Sequence, residues 1–216
     1  MKSVKMIIDG KEVHAKEGLS LLEAARAASI DIPTLCHDKR LSPYGACRLC
    51  SVEIVKGKKS SIVASCVYPV ENGLEVKTDS PRVKKIRKVL LELMLAISPG
   101  GDVAKLAEKY QADPEKFKKK PTFCILCGLC VRYCSEVKNE KALAFIGRGV
   151  ERQVTLISDI ASKSCISCGE CFYICPTCII PNKFTLSLPS FAEKHPVLFP
   201  VRLHDDGNLQ QFFLSE

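Results

Sequence analysis

The sequence predicts an α+β protein: two cysteine-bearing domains joined by a helical linker and followed by an extended tail. Three observations predict it. Alternating apolar residues punctuated by turn signals fill the first 80 residues, a capped and striped helix opens at Pro81, and the pattern C-x2-C-x2-C-x3-C occurs twice between residues 121 and 181. The domain bounds that follow are 1–80, a linker over 81–120, a cysteine-rich domain over 121–181 and a tail over 182–216.

The elements follow in order. Val4–Ile8 reads as a strand, Asp9-Gly10 as a hairpin turn and Lys11–Ala15 as the return strand. Ser20 and Glu23 form a capping box for a helix over Leu21–Ala28, which ends before Ile30–Pro33. Ser51–Lys56 and Ser60–Cys66 read as strands joined by Gly-Lys-Lys, and Leu74–Thr78 as a last strand. Ser80-Pro81 opens a helix with proline at its first position. Its apolar face is expected at Val83, Ile86, Leu90, Leu93 and Ile97, and Ser98-Pro99-Gly100-Gly101 stops it. Asp102 is expected to cap a further helix through Tyr110, and Gln111–Lys120 is polar and linker-like.

Hydrophobic residues make up 46% and charged residues 26%, the composition expected of an ordinary soluble globular protein. The longest apolar run, Val89–Ile97, is interrupted by Glu92 and falls short of the ~18 residues a membrane span needs. The start, MKSVKMIIDGKEVHA, has no secretory apolar region and no small-residue cleavage site. A cytoplasmic protein without a membrane span is therefore expected. Thirteen cysteines in 216 residues, odd in number and tightly spaced, favour metal or cluster ligation over disulfides.

Iron in these clusters takes four soft thiolate ligands. A C-x2-C-x2-C run lets three sulfurs reach three irons of one cube, and in two-cluster ferredoxins the fourth cysteine ligates the other cube. Cys124, Cys127, Cys130 and Cys175 are thus expected to hold one [4Fe–4S] cluster, and Cys165, Cys168, Cys171 and Cys134 the other. Cys36, Cys47, Cys50 and Cys66, spaced C-x10-C-x2-C-x15-C, suit a [2Fe–2S] rhomb. Gly128 and Gly169 sit between ligands, where backbone passes close to a cluster. Structural zinc usually uses separated cysteine pairs, which this duplication does not resemble.

The formal charge of +8 invites a nucleic-acid partner. Three clusters at about −2 each would bring it to about +2, so no nucleic acid is expected. The lysine runs at 56–59, 82–88 and 116–120 read as solvated surface, or else as a face for an acidic partner.

Taken together, the segments IDGKEVHAKEGLSLLEAARAASIDIPTLC, GACRLCSVEI, PRVKKIRKVLLELML, CILCGLCVRYCSEV, FIGRGVERQV and CISCGECFYICPT resemble a known family. They are similar to the N-terminal part of the large iron–sulfur subunit of respiratory complex I, and closer to the diaphorase-side iron–sulfur subunit of NAD-linked hydrogenases. The resemblance covers about residues 4–180. It implies an N-terminal β-grasp [2Fe–2S] ferredoxin domain and a two-[4Fe–4S] ferredoxin domain. It also implies an FMN- and NAD(H)-binding flavoprotein partner; an electron relay is expected, with a catalytic oxidoreductase subunit (hydrogenase, formate dehydrogenase or acyl-CoA reductase in type) at its other end. The family often carries a further [4Fe–4S] site of one His and three Cys; Ser98–Lys120 contains neither residue type, so that cluster is expected to be absent.

Other residues are weighed against plainer roles. Cys178 is surplus to the twelve ligands and reads as a packed small side chain. His37 follows a ligand and could tune its potential; Arg48, between two ligands, could donate towards a cluster or be surface charge. Gly147-Arg148-Gly149 is too short for a nucleotide loop, and no other nucleotide or nucleophile motif occurs. A freely diffusing polyferredoxin is the alternative; the apolar residues of the tail, among them Phe184, Phe191, Phe199 and Phe212, argue for a partner surface instead. A zinc-dependent nucleic-acid module rests only on charge and C-x2-C pairs.

Overall fold

The Asp9-Gly10 signal closes the first hairpin in a computed structural model that describes residues 3–120 and 122–177. Strand β1 (Ser3–Ile8) pairs antiparallel with β2 (Lys11–Lys16), and both turn residues adopt positive φ, as this tight turn demands. Val4, Met6 and Ile8 point inward while Ser3, Lys5 and Ile7 face out, the period-two pattern of a half-buried strand. β3 (Ser51–Lys56) and β4 (Lys59–Ala64) form a second hairpin, and β5 (Glu75–Lys77) lies between the two. The sheet order is β2-β1-β5-β3-β4, with only β1 and β5 parallel. This mixed sheet with α1 (Leu21–Ala27) in its core is the expected β-grasp arrangement.

Helix α1 starts at the capping box the sequence predicts. The Ser20 N–H donates to Glu23 Oε2 at 2.7 Å, and the Glu23 N–H donates to Ser20 Oγ at 3.3 Å. Leu21, Leu22, Ala24 and Ala25 then enter the core with Ile8, Ile32, Val52 and Val76. Each fully buried large side chain there contributes roughly 1.5–3 kcal/mol. The Asp9 carboxylate accepts from the Thr78 N–H at 2.7 Å, so the first turn also holds the end of β5.

Helix α2 (Pro81–Ile97) begins at the predicted cap, Ser80, but buries a different face. Of the expected stripe only Val83 is fully buried; Ile86, Leu90 and Ile97 are half-buried and Leu93 is 44% exposed. The inward side is Val83, Arg87, Leu91 and Leu95, with Glu92 and Ala96 beside it. Polar anchoring sets the rotation. Ser80 Oγ donates to Glu53 Oε2 of β3 at 2.6 Å, and Arg87 reaches the backbone at the start of β3. Helix α3 (Gly101–Lys109) packs on α2. Gly100 holds its cap position, and Asp102 sits inside the first turn, where it pairs with Lys105 at 3.1 Å. The polar segment that follows returns to α2, with the Lys120 N–H donating to Ala96 O at 2.9 Å.

The chain divides into two compact units, Met1–Gly128 and Leu129–Glu216. In the second, α4 (Leu129–Arg132) runs into a π-helical turn, Tyr133–Val137. A hairpin of β6 (Leu143–Ile146) and β7 (Gln153–Leu156) follows, then α5 (Ser158–Cys168) and α6 (Glu170–Tyr173). Cys178 and the tail over 182–216 lie outside the described residues.

Gly147 has a structural role in the β6–β7 connection. Its φ is +72°, and a Cβ built there would collide with the Glu151 carbonyl, 2.9 Å from the carbon. Gly149, at φ +52°, faces open space. Gly147→Ala is expected to destabilise the second unit by about 1–3 kcal/mol or more, and Gly149→Ala by only the lower end of that range. Thermal unfolding of the two variants in parallel checks the order.

Candidate iron–sulfur cluster sites

Four buried thiols gather in the first unit. Cys36 and Cys47 lie on the long loop between α1 and β3, Cys50 immediately precedes β3, and Cys66 follows β4. The Cys47 N–H donates to Cys36 Sγ at 3.3 Å, and the sulfurs of Cys50 and Cys66 lie 3.3 Å apart. Contact with the Cys36 sulfur, then burial, pushes the Cys47 thiol up; contact with Cys50, then burial, does the same to Cys66. Contact with the Cys66 sulfur draws Cys50 down to about 6. Bringing four thiolates this close together is costly without a cation, and bound metal offsets that cost.

Local backbone makes this gathering possible. Gly45 and Arg48 take positive φ, +71° and +61°, on either side of Cys47. Arg48, between Cys47 and Cys50, is exposed. The Ser51 N–H and Oγ both bond to the Arg48 carbonyl, at 3.1 Å and 2.6 Å. His37 is held through Nδ1, which accepts from Arg26 Nη1 at 3.1 Å. A buried set of four soft donors, with an N–H directed at one sulfur, fits a thiolate-bound cluster.

The second unit contains a cavity of about 380 Å³ including its open mouth, lined by Cys134, Cys165, Cys168 and Cys171. Cys134 is on the π-helical turn, Cys165 and Cys168 are on α5, and Cys171 is on α6. Gly169, with φ +60°, separates the two helices and also lines the cavity. The Ala142 N–H donates to Cys134 Sγ at 3.2 Å. Burial, then the neighbouring sulfurs Cys134 and Cys168, pushes the Cys165 thiol up to about 11. Burial and the thiols of Cys165, Cys168 and Cys134 push Cys171 up as well. Among the described residues no three His, Cys, Asp or Glu side chains converge on a point fit for a single metal ion. The four thiols line the cavity, which fits a cluster.

Cys124 and Cys127 belong to the first unit, and Cys130 and Cys175 to the second. Cys127 and Cys130 are buried and the other two half-buried. Phe123, Leu126 and Gly128 all have positive φ, so the chain turns sharply around Cys124 and Cys127. The sequence reading missed the polar rim of the cavity. The Tyr133 hydroxyl donates to Glu170, which also pairs with Lys138, and Ser164 Oγ donates to Glu140. The only sequence signal for that rim was proximity to cysteines. Arg87 was missed because it falls in a run of surface-like basic residues.

No helix among the described residues is long and apolar enough to cross a membrane. A 2Fe-2S iron-sulfur cluster binding domain matches residues 1–81, and a 4Fe-4S dicluster domain matches residues 123–179. The chain therefore carries one [2Fe–2S] cluster and two [4Fe–4S] clusters. The NADPH-Fe(3+) oxidoreductase subunit alpha of Geobacter sulfurreducens is 33% identical over 83% of this chain and 24% of its own length. The mitochondrial NADH dehydrogenase [ubiquinone] iron-sulfur protein 1 of Solanum tuberosum is 31% identical over 83% of this chain and 28% of its own. This chain thus spans about a quarter of the length of these curated relatives. A chain in the crystal structure of an NAD+-reducing [NiFe]-hydrogenase in the H2-reduced state superposes with a TM-score of 0.64 at 30% identity, covering 72% of this chain and 76% of that one. The two cluster-domain matches, with the 30% identity across most of the hydrogenase chain, show that this protein belongs to the family of iron–sulfur electron-transfer subunits that includes the complex I 75 kDa subunit and its NAD+-reducing hydrogenase counterpart.

Proposed function

We propose that this chain relays electrons between an FMN-bearing, NAD(H)-linked flavoprotein subunit and a catalytic subunit of hydrogenase, formate dehydrogenase or acyl-CoA reductase type. The observation that carries the reading is the cavity where Cys134 meets Cys165, Cys168 and Cys171. It unites cysteines from both copies of the repeated motif, as a two-cluster electron conductor requires. Bound clusters supply one-electron redox chemistry; the chain's own residues bury them, fix their spacing and direct N–H groups at their sulfurs.

The ligand assignment belongs to this proposal. Cys36, Cys47, Cys50 and Cys66 hold the [2Fe–2S] cluster. Cys165, Cys168, Cys171 and Cys134 hold one [4Fe–4S] cluster, and Cys124, Cys127, Cys130 and Cys175 hold the other. Support comes from the sulfur contacts in the first unit and the shared cavity in the second. The likeness to a chain of an NAD+-reducing hydrogenase supports the flavoprotein partner.

The reconstituted chain alone is expected to leave NADH unoxidised, and its clusters to be reduced by NADH only once a flavoprotein partner is added. Stopped-flow bleaching of cluster absorbance measures both. NADH oxidation by the isolated chain at the rate of the full complex would overturn the reading.

A further inference from the structure

Arg87 is 2% exposed, yet it sits on a helix face where every other fully buried neighbour at spacing four is apolar: Val83, Leu91 and Leu95. All its bonds run to uncharged groups. Nε donates to Leu49 O at 3.0 Å, Nη2 to Ser51 O at 2.9 Å and Nη1 to the Tyr110 hydroxyl at 3.0 Å, with the guanidinium 5.7 Å from the Tyr110 ring centre. Among the described residues no carboxylate forms an ion pair with it. The other buried charge on α2, Glu92, accepts from the Asp113 N–H at 3.3 Å instead. Burying a charge without an opposite one is expensive, so a buried arginine without a carboxylate asks for another source of negative charge.

The two carbonyls it binds flank Cys50. The carbonyl between them, that of Cys50, accepts from Ser65 Oγ at 2.8 Å and from the Ser65 N–H at 3.1 Å, beside Cys66. In a trans peptide the C=O and the following N–H point opposite ways, so drawing Leu49 O towards Arg87 turns the Cys50 N–H away from it. Arg87 therefore fixes the orientation of the ligand loop as well as placing a charge beside it.

We propose that Arg87 is the positioning residue and fixed counter-charge of the [2Fe–2S] cluster, holding the Cys50 loop in register and favouring the reduced state. The proposal rests on the assignment of Cys50 as a ligand. One electron converts the diferric cluster to the ferric–ferrous form and takes its total charge, thiolates included, from about −2 to about −3. A fixed positive charge in a poorly screened interior favours the more negative state. Mediated titration with dithionite supplies that electron in the test.

The experiment is an EPR-monitored redox titration of the full reconstituted chain carrying Arg87→Met, Arg87→Lys or Cys50→Ser. Arg87→Met is expected to disfavour the reduced [2Fe–2S] state about tenfold, a downward shift of about 59 mV for one electron. Both [4Fe–4S] midpoints should stay put, which separates this effect from general destabilisation. Arg87→Lys keeps the charge but cannot span two carbonyls as the planar fork does. Its midpoint should fall between wild type and Met, with altered [2Fe–2S] g values. Should Arg87→Met not fold, Arg87→Lys decides alone: wild-type midpoint and g values would overturn the proposal. So would an unmoved midpoint in Arg87→Met. Cys50→Ser separates the two readings. If it leaves the [2Fe–2S] signal untouched, the ligand assignment fails; if it alters that signal while the Arg87 variants do not, only the role of Arg87 fails.

Discussion

Cys134→Ala is expected to abolish or strip the cluster held by Cys165, Cys168 and Cys171, while the cluster beside it in sequence survives. Cys134 is only four residues from Cys130 but lines the cavity of the later cysteines, more than thirty residues on. The π-helical turn is the local cause. It carries Cys134 after α4 has ended, and the Ala142 N–H bonds to its sulfur from the approach to β6. Removing one of four thiolates leaves an iron without a protein ligand. The result should be loss of about four of about ten irons, or of one iron with a three-iron remnant. Iron and sulfide analysis with low-temperature EPR reads this, with Cys165→Ala and Cys130→Ala as references. Cys134→Ala should share its missing signal with Cys165→Ala. Sharing it with Cys130→Ala would contradict the crosswise assignment.

The whole chain should bind about ten irons and about ten sulfides, the sum for one [2Fe–2S] and two [4Fe–4S] clusters. The family's additional cluster would raise iron to about fourteen. The region that would hold it contains no Cys or His, and its backbone is committed elsewhere: α3 buries Val103 and Ala107, and the following segment bonds back to Ala96 and Ile97. Cys178→Ser should leave the count unchanged. Anaerobic metal analysis of reconstituted protein decides; a value near fourteen would reveal missed ligands, and one near six an empty site. Substantial zinc with little sulfide would overturn the cluster reading altogether.

Much of the fold was legible because its signals are local. Asp9-Gly10, the Ser20 and Glu23 box and Ser80-Pro81 each act through neighbours within four residues, and each appears where expected. The α2 face was misread for a related reason. Periodicity counted apolar residues and skipped Arg87, but the helix rotates to let that guanidinium reach Leu49 O and Ser51 O. Two hydrogen bonds to otherwise buried carbonyls outweigh keeping Leu93 covered, since an unmet buried acceptor costs about 1–3 kcal/mol.

The sequence by itself determined the chemistry: ligand type, cluster number and the doubled motif all follow from thiolate spacing over a few residues, which chain geometry translates directly into reach. Tertiary structure alone decided which distant parts meet. It closed the β6–β7 connection over Gly147 and buried Arg87 behind the Cys50 loop. Those outcomes depend on how whole elements pack, and packing energy is shared among residues far apart in the chain, so no window of sequence contains it.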